Sequence, residues 1–184
     1  MPGTDKSLQD KASAVIAIIT DIDGVLTDGG IILDDHGTEY KRFQVRDGQI
    51  IRYLKQAQIK TVAISGRDVE VSKIRCEQMG FDYHFHGVRD KLAVVTEWAA
   101  KVGIGLSECA YIGDDLIDLE LLEKVGLSAA PLDALDYVKG AVDFTTLAKG
   151  GAGAFRELAD MILGSKGLLN QIVEDLKNGQ LKEF

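Results

Sequence analysis

The sequence lacks several features that mark whole classes of protein. Its two cysteines, Cys76 and Cys109, stand in no CxxC or Cys/His grouping, which argues against a disulfide scaffold and a cysteine zinc site. It has 21 basic against 29 acidic residues, and the formal charge of -8 argues against nucleic-acid binding. No apolar run approaches a membrane span, and residues 1–13 contain no apolar signal core. We therefore expect a cytoplasmic protein.

Histidine is also scarce, and only His84 and His86, in the sequence HFH, could share a strand face as a metal pair. No further His or Cys is spaced to complete a zinc site, so a structural role is favoured for both. With 46% hydrophobic and 27% charged residues, the composition is that of an ordinary globular protein. We expect residues 1–184 to form a single domain with a substantial core.

The most informative stretch is 16–27, IAIITDIDGVLT, an aliphatic run that ends in Asp21 and Asp23. Such a run predicts a buried strand with both carboxylates at its carboxyl end. Two like charges that close need a counter-charge, and Mg²⁺ bound by carboxylates and a substrate phosphate is the usual one. An EF-hand is excluded, because Leu26 and Ile32 stand where Gly and Glu are required. A solvated turn with two stray acids is the remaining alternative.

Two later segments add groups that can bind a phosphate. The run KTVAIS ends in Ser65, followed by Gly66 and Arg67, so a hydroxyl and a guanidinium lie at a strand tip. Lys91 opens a helix directly after a short strand, where active-site groups of parallel sheets collect, although a solvated lysine is the commoner role. Either segment alone is weak support for a phosphate site.

A second acidic strand tip follows the run CAYIG. It carries three carboxylates, Asp114, Asp115 and Asp118, which would repel one another without a cation. Two acidic tips, one early and one late in the chain, favour a shared metal site over two unrelated turns.

Strands alternate with helices along the chain, which predicts an α/β fold. We expect a doubly wound, Rossmann-like parallel sheet with helices on both faces and the polar strand tips at one edge. The strands are predicted at about 16–21, 60–65, 81–86, 109–113, 127–130 and 141–145. After the first strand, two short runs around the turn DDHG predict a β-hairpin flap at about 29–45, and Asp47 is predicted to cap the next helix. The segment from about 164 to 184 is predicted as a helical tail.

With DIDGVLT, AISGR, Lys91 and GDDLID in this order, the chain resembles the haloacid dehalogenase-like phosphatases. The resemblance implies that Asp21 attacks phosphorus and forms an aspartyl phosphate. It implies that Asp23 protonates the leaving oxygen and then activates water. Ser65 and Lys91 would hold the transferring oxygens.

The same resemblance implies a Mg²⁺ cofactor. Asp21, the backbone carbonyl of Asp23 and Asp114 would bind the metal, and Asp115 and Asp118 would orient its ligands. Members of this superfamily often carry an inserted cap domain, but the motif spacings here leave no room for one. A neighbouring subunit would then complete and close the site.

Capless members with this hairpin form the 3-deoxy-D-manno-octulosonate 8-phosphate phosphatase family, which the chain resembles from about residue 16 to 163. The shared features are GVLTDG, FQVRDG, SGR, YIGDDLIDL and a GGxGAxRE-like tail. The resemblance implies hydrolysis of that sugar-acid phosphate for lipopolysaccharide biosynthesis, in a cytoplasmic homotetramer. The implied substrate contacts are Asp23, Gln44, Val45, Arg46, Asp47, Gly48, Arg52, Arg67, Arg75 and Lys91.

Three alternatives are weighed against this interpretation. The related 2-keto-3-deoxynononate 9-phosphate phosphatases tend to carry Glu where Arg67 stands, and a guanidinium suits a carboxylate-bearing substrate. Ala152, however, replaces an Arg common in the octulosonate enzymes. A non-catalytic tetramerisation module is disfavoured because the set of catalytic residues is complete. A phosphoacceptor signalling domain is disfavoured because it would need neither Asp23 nor the flap.

Overall fold

The computed structural model describes residues 6–180. The strands are β1 (Ala17–Asp21), β2 (Ile32–Leu33), β3 (Glu39–Tyr40), β4 (Lys60–Ile64), β5 (Tyr83–Phe85), β6 (Cys109–Ile112), β7 (Leu127–Ala130) and β8 (Phe144–Thr145). The helices are α1 (Lys6–Ala14), α2 (Val45–Gln56), α3 (Glu70–Met79), α4 (Lys91–Val102), α5 (Leu119–Leu122), α6 (Asp136–Lys139), α7 (Ala154–Ser165) and α8 (Leu168–Lys177). Short 3₁₀ turns at Leu106–Glu108 and Leu116–Asp118 precede β6 and α5.

Six strands form one parallel sheet in the order β5-β4-β1-β6-β7-β8. The chain builds β4 and β5 on one side of β1 and then returns to build β6, β7 and β8 on the other. This reversal beside β1 creates the crevice in which open parallel sheets bind ligands. We call this side of the sheet, at the C-terminal ends of β1, β4 and β6, the carboxyl edge. The predicted α/β fold is confirmed.

Burial on both faces of the sheet explains why the sequence of β1 is almost entirely aliphatic up to Asp21. Every residue of β1 is buried. Ile18 belongs to a core that includes α2 and α7, and Ile19 to a second core with Trp98 of α4. Residues that alternate along a strand point to opposite faces, so β1 contributes to both cores and is fixed at the centre of the sheet.

The structure differs from the sequence-based expectations at two helices. Residues 6–14 form α1, which was not predicted because the segment is polar and buries only Ala12. Helix α2 begins at Val45 with Gln44 as its N-cap, so the prediction that Asp47 caps it is wrong. Asp47 lies inside the first turn and is buried, and its Oδ1 accepts the backbone N–H of Arg156 in α7 at 2.8 Å. Packing against α7 thus outweighs the usual preference of Asp for the N-cap position.

The hairpin β2–β3 follows β1 and pairs Ile32 with Tyr40 and Leu33 with Glu39. Within residues 6–180, only this hairpin and α2 lie between β1 and β4, so the predicted flap is present and no cap domain is inserted there. None of the helices in this range combines the length and the apolar character needed to cross a bilayer.

Candidate active site

The carboxyl edge places Asp21 against Lys91. Asp21 is the last residue of β1, and Lys91 is the first residue of α4. Lys91 Nζ lies 2.8 Å from Asp21 Oδ1, and both side chains are almost completely buried. Strand β4 ends just before Ser65, beside β1, so the strand tips singled out in the sequence do converge.

A buried hydrogen-bond network holds Lys91 in place. Its ammonium group donates to Asp118 Oδ1 at 2.6 Å and to the Tyr111 hydroxyl at 3.2 Å, and that hydroxyl itself donates to Asp118 Oδ1. The other carboxylate oxygen of Asp118 accepts the backbone N–H groups of Asp114 and Asp115 at 3.0 and 3.1 Å. Burial alone would lower the pKa of Lys91, but the charges of Asp21 and Asp118 raise it above its usual value. Lys91 is therefore held as a cation beside Asp21.

The two acidic loops approach each other so closely that a glycine is required between them. Gly24 has a φ of +94°, and a Cβ at this position would lie 2.1 Å from Asp114 Oδ2. A side chain here would be both strained and in collision with Asp114. The DIDG sequence therefore brings the loop after β1 into contact with the loop after β6.

Three carboxylates form a candidate cation site at this contact. Asp21, Asp114 and Asp118 each offer an oxygen, and these atoms lie within 4.8 Å of one another. Asp114 Oδ1 is buried and has no hydrogen-bond partner among residues 6–180. Burial and then the Asp21 charge raise the pKa of Asp114 to about 8, and burial raises the pKa of Asp21 to about 7. A hard divalent cation would satisfy the orphaned oxygen and offset the clustered charge, so the site fits Mg²⁺.

Within this cluster the carboxylates differ in their freedom to bind a metal. Both oxygens of Asp118 already accept hydrogen bonds, whereas Asp114 has an unused oxygen. This geometry suits Asp114 as a direct ligand and Asp118 as a group that orients the loop. The carboxylate of Asp115 accepts the N–H of Leu116 at 2.7 Å and caps the 3₁₀ turn. Across residues 6–180 no group of His or Cys side chains forms such a cluster, and His84 Nδ1 lies 2.9 Å from His86 Nε2.

Asp23 lies next to these groups and is held on both oxygens. The Ser65 hydroxyl donates to Asp23 Oδ2 at 3.0 Å, and Lys41 of the hairpin segment donates to Oδ1. Ser65 also accepts the backbone N–H of Arg67 at 3.0 Å. Asp21, Asp23, Ser65 and Lys91 therefore occupy one site, which contains two carboxylates, a hydroxyl and a buried ammonium group.

Comparison with known proteins identifies the family. A family model for haloacid dehalogenase-like hydrolases matches residues 85–158. A 3-deoxy-D-manno-octulosonate 8-phosphate phosphatase from Haemophilus influenzae is 40% identical over 175 residues, which cover 95% of this chain and 96% of the relative. The chain belongs to the 3-deoxy-D-manno-octulosonate 8-phosphate phosphatase family.

Solved structures of this octulosonate phosphatase family share the fold. The enzyme from Moraxella catarrhalis, in complex with magnesium, phosphate and KDO, is 33% identical, with a TM-score of 0.91 and coverage of 94% of this chain and 99% of that chain. The cobalt-bound enzyme from Haemophilus influenzae is 40% identical, with a TM-score of 0.86 and coverage of 94% and 99%. A family that binds divalent cations agrees with the acidic cluster at the carboxyl edge.

Beyond Asp23 and Lys91, the substrate-binding residues implied by the family resemblance lie in three places. Arg67 lies at the carboxyl edge and forms two hydrogen bonds to Glu39, at 3.0 and 2.8 Å. A second group lines a groove of about 320 Å³ between α2 and α3. It comprises Val45, Gly48, Arg52 and Arg75, with Gln49, Gln78 and Met79. Neither Asp21 nor Asp23 lines this groove.

The remaining members of that set are Gln44, Arg46 and Asp47. Gln44 caps α2 by accepting the N–H of Arg46, and Asp47 is buried against α7. The placement of Gln44 and Asp47 favours a role in building α2, and substrate contact by Gln44 or Arg46 stays a prediction.

Sequence reasoning missed three residues that shape the site. Tyr111 was interpreted only as part of a buried strand, yet its hydroxyl contacts both Lys91 and Asp118. Glu39 and Lys41 were interpreted only as hairpin residues. Their spacing of two places them on one face of the hairpin, which was an available signal, but the contacts across the chain were not predictable from it.

Proposed function

We propose that the chain is a Mg²⁺-dependent phosphatase that hydrolyses 3-deoxy-D-manno-octulosonate 8-phosphate to 3-deoxy-D-manno-octulosonate and phosphate. The observation that carries the proposal is the meeting of Asp21, Asp23, Ser65 and Lys91 at one edge, beside an acidic cluster with an orphaned oxygen. The named activity of the relatives supports the choice of substrate.

In the first step, an oxygen of the Asp21 carboxylate attacks phosphorus and the bond from phosphorus to the sugar oxygen breaks. Lys91, fixed by Asp118 and Tyr111, stabilises the negative charge on the transferring oxygens. Asp23 donates a proton to the leaving sugar oxygen. The products of this step are the free sugar acid and an aspartyl phosphate on Asp21.

In the second step, water attacks the phosphorus of the aspartyl phosphate and the bond to Asp21 breaks. Asp23, now a carboxylate, accepts the proton of that water, and Ser65 orients Asp23 through its hydroxyl. Asp21, the Asp23 carbonyl and Asp114 would hold Mg²⁺, which supplies neutralisation of phosphate charge when bound.

Arg67 is the residue that we propose for recognition of the substrate carboxylate. Its guanidinium faces Glu39 but its side chain keeps 39% exposure, so part of its donor set is open to a second anion. Arg52 and Arg75 line the groove between α2 and α3, and neither Asp21 nor Asp23 belongs to that lining. We propose that they contact the substrate in a neighbouring subunit's site.

We further propose a cytoplasmic homotetramer built from single-domain chains of residues 1–184, acting in lipopolysaccharide biosynthesis. Support for association comes from the hairpin segment, which exposes apolar side chains that a monomer would keep in water. They are Ile31, Ile32, Leu33 and Tyr40, each more than half exposed. Cys76 and Cys109 are unpaired and buried, as is usual in a reducing compartment.

Phosphate release from the eight-carbon and nine-carbon keto-acid phosphates, measured side by side with Mg²⁺ and with a chelator, tests the proposed function. We expect the larger kcat/KM for the eight-carbon ester and loss of activity with chelator. A preference for the nine-carbon ester would favour the deoxynononate alternative and mean that Ala152 outweighs Arg67. No release from either ester would favour a non-catalytic tetramerisation module.

A further inference from the structure

Lys41, in the segment after β3, is buried among polar groups of the active site. Its side chain is only 1% exposed, and its ammonium group contacts Asp23 Oδ1, Ser72 Oγ at 3.1 Å and Glu39 Oε1 at 3.6 Å. Its neighbour Arg42 is 76% exposed and pairs with Asp28 at the surface. One of two adjacent basic residues is thus withdrawn from solvent and directed at the proposed acid and base.

A buried ammonium group is stable only where its charge is paired and its hydrogen bonds are made. Lys41 meets this requirement through Asp23, and Asp23 gains a fixed orientation in return. Ser65 from the end of β4 holds Asp23 Oδ2 at 3.0 Å, while Lys41 holds Oδ1. The carboxylate is therefore clamped between the sheet and the hairpin segment.

A second ion pair ties the same hairpin to the carboxyl edge. Glu39 accepts two hydrogen bonds from Arg67, which follows Ser65 by two positions. Cations and anions then alternate from Arg67 through Glu39 and Lys41 to Asp23. The two ends of this chain of charges follow neighbouring strands, Asp23 after β1 and Arg67 after β4, so a shift of the hairpin between them would change the direction of the Asp23 carboxylate.

We propose that Lys41 is a positioning residue that sets the orientation of Asp23 for proton transfer to the leaving sugar oxygen. This assignment rests on the proposed phosphatase function, because it concerns the proton that Asp23 gives up when the ester bond breaks. Among residues 6–180, Lys41 contacts Asp23, Ser72 and Glu39 but forms no ion pair with Asp21, the proposed nucleophile, so we assign its effect to Asp23. A lysine that only anchored the hairpin would contribute to folding without affecting this proton transfer selectively.

The leaving group distinguishes these two roles. A sugar alkoxide leaves poorly without a proton, whereas 4-nitrophenolate leaves without one. In a two-step mechanism kcat/KM reports the steps up to release of the leaving group, so the later hydrolysis of the aspartyl phosphate does not enter. Misplacement of Asp23 must therefore lower kcat/KM for the sugar ester much more than for 4-nitrophenyl phosphate.

The experiment compares wild type, Lys41→Met, Lys41→Arg and Asp23→Asn on both esters with saturating Mg²⁺. We expect Lys41→Met to lower kcat/KM for the sugar-acid phosphate by about 10²-fold, which is the order of the contribution of general acid catalysis. For 4-nitrophenyl phosphate we expect a loss of about threefold or less. Asp23→Asn should change the ratio in the same direction, and Lys41→Arg should recover part of it. Arg42→Met is the matched control and should leave both values unchanged.

Loss of folded protein would lower both values equally and would cancel in their ratio. An equal loss on both esters in Lys41→Met would overturn the assignment and leave Lys41 as a structural anchor. If Lys41→Met is inactive on both esters, Lys41→Gln, which removes the charge but keeps a polar side chain, replaces it, and a wild-type ratio in Lys41→Gln overturns the assignment. Wild-type protein that releases no phosphate from either ester would instead overturn the proposed function, and the assignment with it.

Discussion

The carboxyl edge of the sheet and the hairpin β2–β3 both contribute contacts around Asp23, but different forces hold them in place. At the carboxyl edge, β1 is completely buried and Lys91 is enclosed with Asp118 and Tyr111. The hairpin has strands of only two residues, exposes most of its apolar side chains and is tied to the edge by ion pairs. The core thus fixes the reacting groups, while charge aligns the hairpin with them.

This difference follows from what each segment can bury. A two-stranded hairpin is marginal by itself, because it has too little apolar surface to offset the entropy of ordering it. The central strands β1, β6 and β7 of the parallel sheet are buried at every residue and need no further partner. Substitutions at the carboxyl edge should therefore abolish catalysis. Substitutions in the hairpin should alter oligomer assembly or the alignment of the hairpin with the active site.

The largest expected effect is at the carboxyl edge. Asp21→Asn keeps the shape of the residue but removes the nucleophile, so we expect kcat to fall by about 10⁴-fold or more. Phosphate release gives kcat, and circular dichroism should give an unchanged spectrum. Asp28→Asn, an exposed carboxylate paired with Arg42, is the control and should retain activity. Turnover in Asp21→Asn above roughly 1% of wild type would mean that another group attacks phosphorus.

The next effect concerns the cation site at the same edge. Asp114→Asn removes the negative charge of the proposed metal ligand and should weaken Mg²⁺ binding. We expect kcat/KM to fall by about 10²-fold, since a metal stabilises the transition state of such reactions by several kcal/mol. Mg²⁺ at 100 times its Kd should stabilise wild type by about 2.7 kcal/mol, and this stabilisation should be much smaller in Asp114→Asn. Thermal unfolding with and without Mg²⁺ measures it, with the exposed Asp136→Asn as control. An undiminished Mg²⁺ shift in Asp114→Asn would remove Asp114 from the ligand set.

The carboxyl edge was also the part best predicted from sequence. Its strands are aliphatic runs that end at polar residues, and parallel strands buried on both faces leave little ambiguity in such a pattern. The Asp114 loop could be placed beside the Asp21 loop because strand tips of one sheet share an edge. The alternation of strands and helices then determined the α/β class.

The hairpin and helix starts were predicted less well, for physical reasons. The position of the hairpin followed from its turn residues, but the ion pair of Lys41 with Asp23 joins residues distant in sequence and depends on the exact tilt of the hairpin. In helix α1, Ala12 is buried and Leu8 is partly buried against the core, and two apolar contacts are too weak a pattern to predict a helix from the sequence. Asp47 was assigned as a cap from local preference, which tertiary packing overrode.

A substitution in the hairpin tests whether this segment lies in the interface between subunits. Leu33 is 60% exposed in the single chain, and in the proposed tetramer Leu33→Glu would bury an unpaired charge. We expect smaller oligomers by light scattering and a roughly tenfold loss of kcat/KM, because misalignment of neighbouring residues is costly. Leu147→Glu, an 82% exposed leucine outside the hairpin, should change neither. A Leu33→Glu protein with wild-type mass would show that the hairpin lies outside the interface.

The smallest effect on activity is expected at Asp47, just beyond the hairpin, where α2 joins the core and a substitution should alter stability. Burial raises its pKa from 3.8 to about 6, and its Oδ2 has no partner within residues 6–180. Between those two values the folded state holds a proton that the unfolded state has released, so the free energy of unfolding falls as pH rises through that window. Above the folded pKa, the ionised carboxylate costs roughly 2–3 kcal/mol of stability.

Asp47→Asn keeps an acceptor for the N–H of Arg156 and removes the charge, so it should raise the melting temperature at neutral pH by about 5 °C or more. It should leave the melting temperature unchanged below the unfolded pKa, where Asp47 is protonated in both states. Melting curves from acid to neutral pH measure both, with the exposed Asp35→Asn as control. If Asp47→Asn follows the wild-type pH dependence, a neighbouring subunit or ordered water satisfies the carboxylate, and the hairpin region is better supported than the single chain indicates.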